Sequence, residues 1–268
     1  MKSFDLNAFD VCGADISFAF FGRQGGVSDG VYATLNCDPR QDDMAAHVTE
    51  NLKRVCHAVG GDENHLALLN QVHGADCIAV DATNIAGATN GIIADADAML
   101  TRHAGVVLGI LTADCAPVLL CGLRRDDGTP VVAAAHAGWR GAYGGVLGTT
   151  LQQMRQAGVD PDTICAAIGP CIQQRSYEVD ATFKKTFMTQ TAGNERFFEK
   201  ATHTEDAFYF DLPAYVEAVL KDAGVRHVYR SEQDTYARAD DFFSHRYATH
   251  FGGGITGRQL SVIMISTK

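Results

Sequence analysis

Apolar residues along this chain gather into short continuous runs separated by turn-forming residues. Ile16-Ser-Phe-Ala-Phe-Phe21 reads as a strand that runs into a glycine-rich loop, Gly22 to Gly30. Over residues 42–59 the pattern changes. Met44, Val48, Leu52, Val55 and Val59 step by four, four, three and four, the spacing of one helix face, and Gly60-Gly61 supplies a left-handed stop. Short strands follow near 65–70, 76–80, 97–101, 106–111, 116–121 and 131–136. A helix begins after Gly141, with Tyr143, Val146, Leu147, Leu151 and Met154 on one face and Gly158 closing it. Ile164-Cys-Ala-Ala-Ile168 is another buried strand. Helices are expected at about 180–190 and 212–223, the latter with Pro213 in its first turn. Strands near 242–247 and 259–266 complete the chain. With no repeat, linker or low-complexity segment, this alternation predicts one α/β domain over residues 1–268, built on a large mixed sheet.

Composition narrows the function. Hydrophobic residues make up 46% and charged residues 20%, enough for a sizeable core. The formal net charge is -10 and Lys and Arg form no run, which argues against a nucleic-acid surface. An anionic substrate therefore needs a local basic site against the field of the whole molecule. No stretch approaches the roughly 20 apolar residues of a membrane span. Met1 to Asp10 carries acidic residues where a signal peptide is apolar. The eight cysteines (Cys12, Cys37, Cys56, Cys77, Cys115, Cys121, Cys165 and Cys171) are scattered with no Cys-x-x-Cys pair. Reduced thiols and a cytoplasmic location are expected.

Three polar residues interrupt or end the apolar runs. His73 follows one in Leu66-Ala-Leu-Leu-Asn-Gln-Val-His73-Gly, with Gly74 expected to permit a sharp turn. Cys115 ends Val106-Val-Leu-Gly-Ile-Leu-Thr-Ala-Asp-Cys115, and His136 ends Val131-Val-Ala-Ala-Ala-His136. Two imidazoles and a thiolate form a three-ligand metal set with a fourth position left for water or substrate. A strand-capping histidine and a buried thiol are the structural alternatives. Asp114 beside Cys115 is expensive to bury unpaired, which points to a ligand-orienting or proton-carrying role. In Ala134-Ala-His-Ala-Gly-Trp-Arg-Gly141 a helix start and Arg140 suit an anion, while Trp139 is expected to pack in the core. Arg23, in the glycine-rich loop, is a second cation for phosphate. Asp95-Ala-Asp97 reads as turn chemistry, with an acid/base pair as the alternative. Cys171, in Ile168-Gly-Pro-Cys-Ile172, is a fallback ligand or a core thiol.

Phe20-Phe-Gly-Arg-Gln-Gly-Gly-Val-Ser28, Asn70-Gln-Val-His-Gly74, Thr112-Ala-Asp-Cys115, His136-Ala-Gly-Trp-Arg-Gly141, Ile168-Gly-Pro-Cys-Ile172 and Phe242-Phe-Ser-His-Arg246 occur in this order. Together they resemble the YfiH-like "laccase domain", or multicopper polyphenol oxidase, family. The resemblance implies a single-domain layered α/β/β/α sandwich. It implies a purine nucleoside phosphorylase with adenosine deaminase activity, acting on adenosine, inosine or methylthioadenosine with phosphate, and in some members peptidoglycan editing. It also implies zinc on His73, Cys115 and His136. For the chemistry itself local context, not the resemblance, offers Asp114 as proton carrier and Arg23 and Arg140 for phosphate. Two positions depart from the family pattern: Asp234-Thr235 stands where a Cys-Thr pair is usual, and His245 replaces a Tyr. A multicopper centre needs many histidines, and this chain has ten with no His-x-His pair. One ion is the better expectation, zinc first and copper second. Two further readings stay open. One is a metal-free cysteine hydrolase or amidase acting on peptidoglycan precursors, with Cys115 as nucleophile and His136 or His73 as base. The other is a binding protein with structural zinc, which lacks a convincing fourth ligand.

Overall fold

A computed structural model of the protein describes residues 1–4, 9, 15–88, 90–204 and 206–267. Cys12 and much of the acidic N-terminal stretch lie outside the described residues. The chain runs through β1 (Ile16–Phe20), α1 (Ala45–Ala58), β2 (Leu66–Asn70), β3 (Cys77–Ala79), α2 (Ala82–Ala86), β4 (Ile92–Asp95), β5 (Ala98–Thr101) and β6 (Val107–Thr112). It continues with β7 (Ala116–Leu123), β8 (Pro130–Ala137), α3 (Trp139–Gly144), α4 (Val146–Gln156), β9 (Cys165–Ile168), β10 (Glu178–Asp180) and α5 (Ala181–Gln190). The last elements are β11 (Phe198–Lys200), β12 (Ala207–Phe210), α6 (Leu212–Asp222), β13 (His227–Arg230), α7 (His245–Phe251) and β14 (Gln259–Ile265).

The expected single large sheet is two. One has the order β1-β14-β6-β2-β4 and the other β13-β9-β7-β8-β5-β3, both mixed, with a small β10-β12-β11 sheet beside them. They stack face to face. Leu108 and Ile110 of β6 share a core with Leu119 and Cys121 of β7 and Val132 and Ala134 of β8. Alternate residues face outward. Val107 and Leu111 pack with Val48, Leu52 and Val55 of α1. Val118, Leu120, Ala133 and Ala135 pack under Leu147 and Leu151 of α4 and Val216 and Leu220 of α6. The layers are therefore α/β/β/α. Strands buried on both faces read as unbroken apolar runs, so periodicity alone gives no clue to how many sheets they form.

Two expected elements differ. The helix after Gly141 is broken, because Gly145 takes φ 97° and separates α3 from α4. The expected strand at 242–247 is a loop followed by α7. Phe243 pairs with no strand. Its N–H donates to Gln259 Oε1 at 2.8 Å and its carbonyl accepts from Gln259 Nε2 at 3.1 Å. One buried amide thus replaces a ladder, and the Ser244 hydroxyl caps α7 by accepting from Tyr247 N–H. None of the helices among the described residues is long and apolar enough to cross a membrane.

Candidate metal centre and cavity

The two sheets bring the three expected ligands together at one end of the interlayer. β6 belongs to one sheet and β7 to the other, so Ala113-Asp114-Cys115 is a three-residue crossing between them. Asp114 makes that turn at φ 89°. His73 follows β2 in the first sheet and His136 sits in β8 of the second. The donor atoms of His73, Cys115 and His136 lie within 4.8 Å of one another. His73 Nε2 is 3.9 Å from Cys115 Sγ, and the two imidazoles meet edge-on at 4.8 Å between centroids. Gly138 closes the space behind them. A Cβ there would sit 2.9 Å from Cys115 Sγ and 3.0 Å from His73 Cδ2.

Asp97 organises this cluster. Its side chain is fully buried, and its Oδ1 lies 2.7 Å from His136 Nδ1. The same carboxylate accepts N–H bonds from Val72 at 3.1 Å, His73 at 3.0 Å and Gly74 at 2.6 Å. These bonds hold His73 at φ 61°, a left-handed conformation that costs a non-glycine residue energy. The tight residue is thus His73 itself, not Gly74 as the sequence suggests. Gln71 anchors the other side of the turn, bonding both the N–H and the carbonyl of Leu111. Asp95 is separate: it accepts from Asn70 Nδ2 at 2.8 Å, so the two aspartates form no acid/base pair. Asp97 carries no sequence signal beyond its place before an apolar strand.

Electrostatics follow from these contacts. Burial alone would raise the Cys115 thiol, but the charge of His136 and hydrogen bonds from His136 and His73 outweigh it and bring the thiol down to about 6. Burial likewise opposes charge on His136, yet the Cys115 thiolate and the bond to Asp97 push it up to about 9. The two shifts run in opposite senses, so each charged partner favours the charge of the other when no metal is bound. Burial raises the Asp114 carboxyl above its ordinary range despite bonds from Arg246 N–H, Ser244 and Thr235. Thr235 Oγ1 donates to Asp114 Oδ1 and Arg246 N–H to Asp114 Oδ2, each at 2.7 Å. Thr235, which keeps the family pattern, positions Asp114, while Asp234, the residue that departs from it, accepts from Ser176 Oγ at 2.6 Å.

The cluster opens onto a cavity of about 550 Å³, within the roughly 300–1,000 Å³ of small-molecule sites. Asp114, Trp139 and Arg140 line it, as do Tyr177, His245, Arg246 and Arg258. Trp139 is only half-buried. It packs on Phe183 at 4.8 Å, and the Arg140 guanidinium lies 4.7 Å above its ring. Arg23 is not among the lining residues. Its guanidinium donates to the carbonyls of Ala33 at 2.7 Å and Ala239 at 2.9 Å and stacks 4.6 Å from Phe243. Arg23 ties loops together, so its expected place beside phosphate has no geometric support. Cys171 is fully buried and outside the three-residue cluster. The sequence reading gave no role to Arg246, the second residue of α7, or to Arg258, which immediately precedes β14, and only the fold brings them to the cavity.

Comparison with known proteins agrees with this architecture. Residues 17–266 match the profile of the multi-copper polyphenol oxidoreductase laccase family, and the chain belongs to that family. It is 36% identical over 248 residues to a purine nucleoside phosphorylase of Deinococcus radiodurans, covering 92% of this chain and 88% of the relative. It is 34% identical over 243 residues to purine nucleoside phosphorylase YfiH of Escherichia coli, covering 91% of each. Among solved structures, a Neisseria meningitidis protein superposes with a TM-score of 0.82 at 34% identity, over 99% of both chains. YlmD from Geobacillus stearothermophilus gives 0.83 at 29% identity, over 96% of this chain and 94% of that one.

Proposed function

We propose that this protein is a zinc-dependent purine nucleoside phosphorylase that also deaminates adenosine. The observation that carries the reading is the meeting of His73, Cys115 and His136 on the wall of a cavity that Arg140, Arg246 and Arg258 also line. The donor set fits one tetrahedral ion. Zinc bonds of about 2.0–2.3 Å place neighbouring N and S ligands roughly 3.5 Å apart, close to the 3.9 Å between His73 Nε2 and Cys115 Sγ. Asp97 at Nδ1 leaves Nε2 of His136 as the ligating nitrogen, the usual supporting arrangement around a metal-bound histidine. Zinc held by these three residues would supply a Lewis acid beside the cavity, and copper suits the same donors.

The chain's own residues account for the rest. Arg140, Arg246 and Arg258 line the cavity, and none makes an ion pair among the described residues, whereas Arg40 is paired to Asp38 at 2.8 Å. Those three guanidinium groups are the phosphate site, a local reversal of the net negative field. Trp139 and Tyr177 give the cavity an aromatic wall for the purine to pack against. In phosphorolysis a phosphate oxygen bonds to the ribose C1′ as the bond from C1′ to the purine nitrogen breaks, and the leaving base takes a proton. Asp114, whose carboxyl is held above its ordinary range by burial, is the proton carrier. In deamination it moves a proton to the departing amine. Adenosine, inosine and methylthioadenosine are the proposed substrates, acting in the cytoplasm. The test is phosphate-dependent release of hypoxanthine from inosine and of adenine from adenosine, with ribose 1-phosphate formed in equal amount and ammonia measured separately. No release by the wild type, or equal release by Cys115→Ala, contradicts the reading.

One observation favours a second reading. Asp97, His136 and Cys115 form a chain of contacts with the thiol down at about 6, the arrangement of an activated cysteine nucleophile. A metal-free amidase acting on peptidoglycan precursors would use it. Alkylation of Cys115 that abolishes activity in metal-free protein supports this reading, and activity lost with the metal supports the first.

A further inference from the structure

One buried polar group of the cavity takes no part in the chemistry described above. Thr112 ends β6 and lines the cavity, yet it is 2% exposed and its Oγ1 has no hydrogen-bond partner among the described residues. A buried hydroxyl left unpaired destabilises a protein, so each such group calls for an explanation. The polar neighbours that would otherwise pair with it are engaged elsewhere. Gln259, its direct cross-strand partner on β14, bonds both backbone groups of Phe243. Gln71 bonds both backbone groups of Leu111. Asp114 is held by Thr235 and by the N–H of Arg246.

Strand parity tells where Thr112 points. Ile110, two residues earlier, faces the layer between the sheets, and residues two apart share a face. Thr112 therefore faces the same layer at the end where it opens beside Cys115 and His136. The arginines are the charged partners of this cavity, suited to an anion. Thr112 differs from them: it is neutral, buried, and able both to donate and to accept.

We propose that Thr112 positions the nucleoside, its hydroxyl forming a hydrogen bond with an uncharged heteroatom of the base or sugar and so setting which nucleosides bind productively. This inference rests on the phosphorylase reading. A site built to bond a substrate heteroatom discriminates strongly against a partner that cannot complete the bond.

The experiment compares Thr112→Val, which keeps the shape and removes the hydroxyl, with Thr112→Ser, which keeps the hydroxyl. Inosine and phosphate are varied independently in steady-state phosphorolysis by the full metal-loaded protein, and the melting temperature of each free protein is measured. Thr112→Val is expected to lower kcat/KM for inosine tenfold or more, to leave KM for phosphate within twofold, and to melt no lower than wild type. Thr112→Ser is expected to stay within threefold of wild type. A Val variant that equals wild type, that melts lower, or whose defect falls on phosphate overturns the assignment while the phosphorylase reading stands. A wild-type protein that leaves inosine intact overturns both.

Discussion

His136 Nδ1 lies 2.7 Å from Asp97 Oδ1, and the same buried carboxylate accepts three consecutive N–H groups from the turn that carries His73. One side chain thereby orients two of the three proposed metal ligands, which come from different sheets. Asp97→Asn removes the charge and substitutes an amide N–H₂ for one accepting oxygen. The expected outcome is a metal affinity lower by about 10–100-fold, read by competition with a chromophoric chelator. Unchanged affinity would mean that the turn and His136 hold their places without Asp97.

Gly138 tests how tightly the cluster is built. Its Cβ position is 2.9 Å from Cys115 Sγ and 3.0 Å from His73 Cδ2, so Gly138→Ala forces a ligand to move. Overpacking of this kind costs about 1–3 kcal/mol. Metal affinity and phosphorolysis are expected to fall at least tenfold while the circular dichroism spectrum is kept.

The thiol gives a pH test in the metal-free protein. The Cys115 thiol is lowered to about 6 by His136 and His73, against burial. Its thiolate is the reactive form, so alkylation is expected to rise with pH through about 6 and to be level by pH 8. A thiol at the ordinary value would still be gaining rate there. The linked His136 charge, raised to about 9, is lost above that pH, and the two steps belong to the pair as a unit. In Asp97→Asn the rise is expected to move to higher pH, because His136 loses the partner that favours its charge.

Much of this site was legible locally. His73, Cys115 and His136 each stand at or just beyond the end of an apolar run, and polar residues interrupting such runs announce themselves. Asp97 does not. Its partners are 24 and 39 residues away, and it meets them only because β5 lies beside β8. Arg246 was hidden for another reason. Phe242-Phe-Ser-His-Arg246 has strand-like composition, and only the Gln259 amide, 16 residues on, satisfies Phe243 outside a ladder. For Arg23 the local signal was ambiguous, since a glycine-rich loop is as able to pack its arginine on carbonyls and Phe243 as to present it to a ligand. The layering was carried by the family resemblance, whereas the doubly buried runs of β6 and β7 gave no clue that the chain changes sheets at Asp114.

That amide yields a stability prediction. Gln259→Leu leaves the N–H and carbonyl of Phe243 buried and unpaired, at about 1–3 kcal/mol each. A fall of about 2–6 kcal/mol in unfolding free energy is expected from urea titration. Because Phe243 leads into α7, which carries His245 and Arg246, phosphorolysis is expected to fall as well.

The arginines separate the phosphate site from the loop clamp. Arg258→Ala and Arg140→Ala each remove charge-assisted bonds worth about 1.5–3 kcal/mol, so KM for phosphate is expected to rise roughly tenfold to a hundredfold. Arg23→Ala is expected to lower the melting temperature and to leave that KM unchanged, since Arg23 holds Ala33 and Ala239 together and is not among the residues lining the cavity.

The central claim is that one metal ion on His73, Cys115 and His136 is required for phosphorolysis. It is tested most directly by titrating zinc into chelator-treated protein while following phosphate-dependent release of hypoxanthine from inosine. Activity that grows in proportion to added zinc and levels off at one equivalent per chain, with no response in Cys115→Ala, is the predicted result. Full activity in the metal-free protein, unchanged by added zinc, would contradict it.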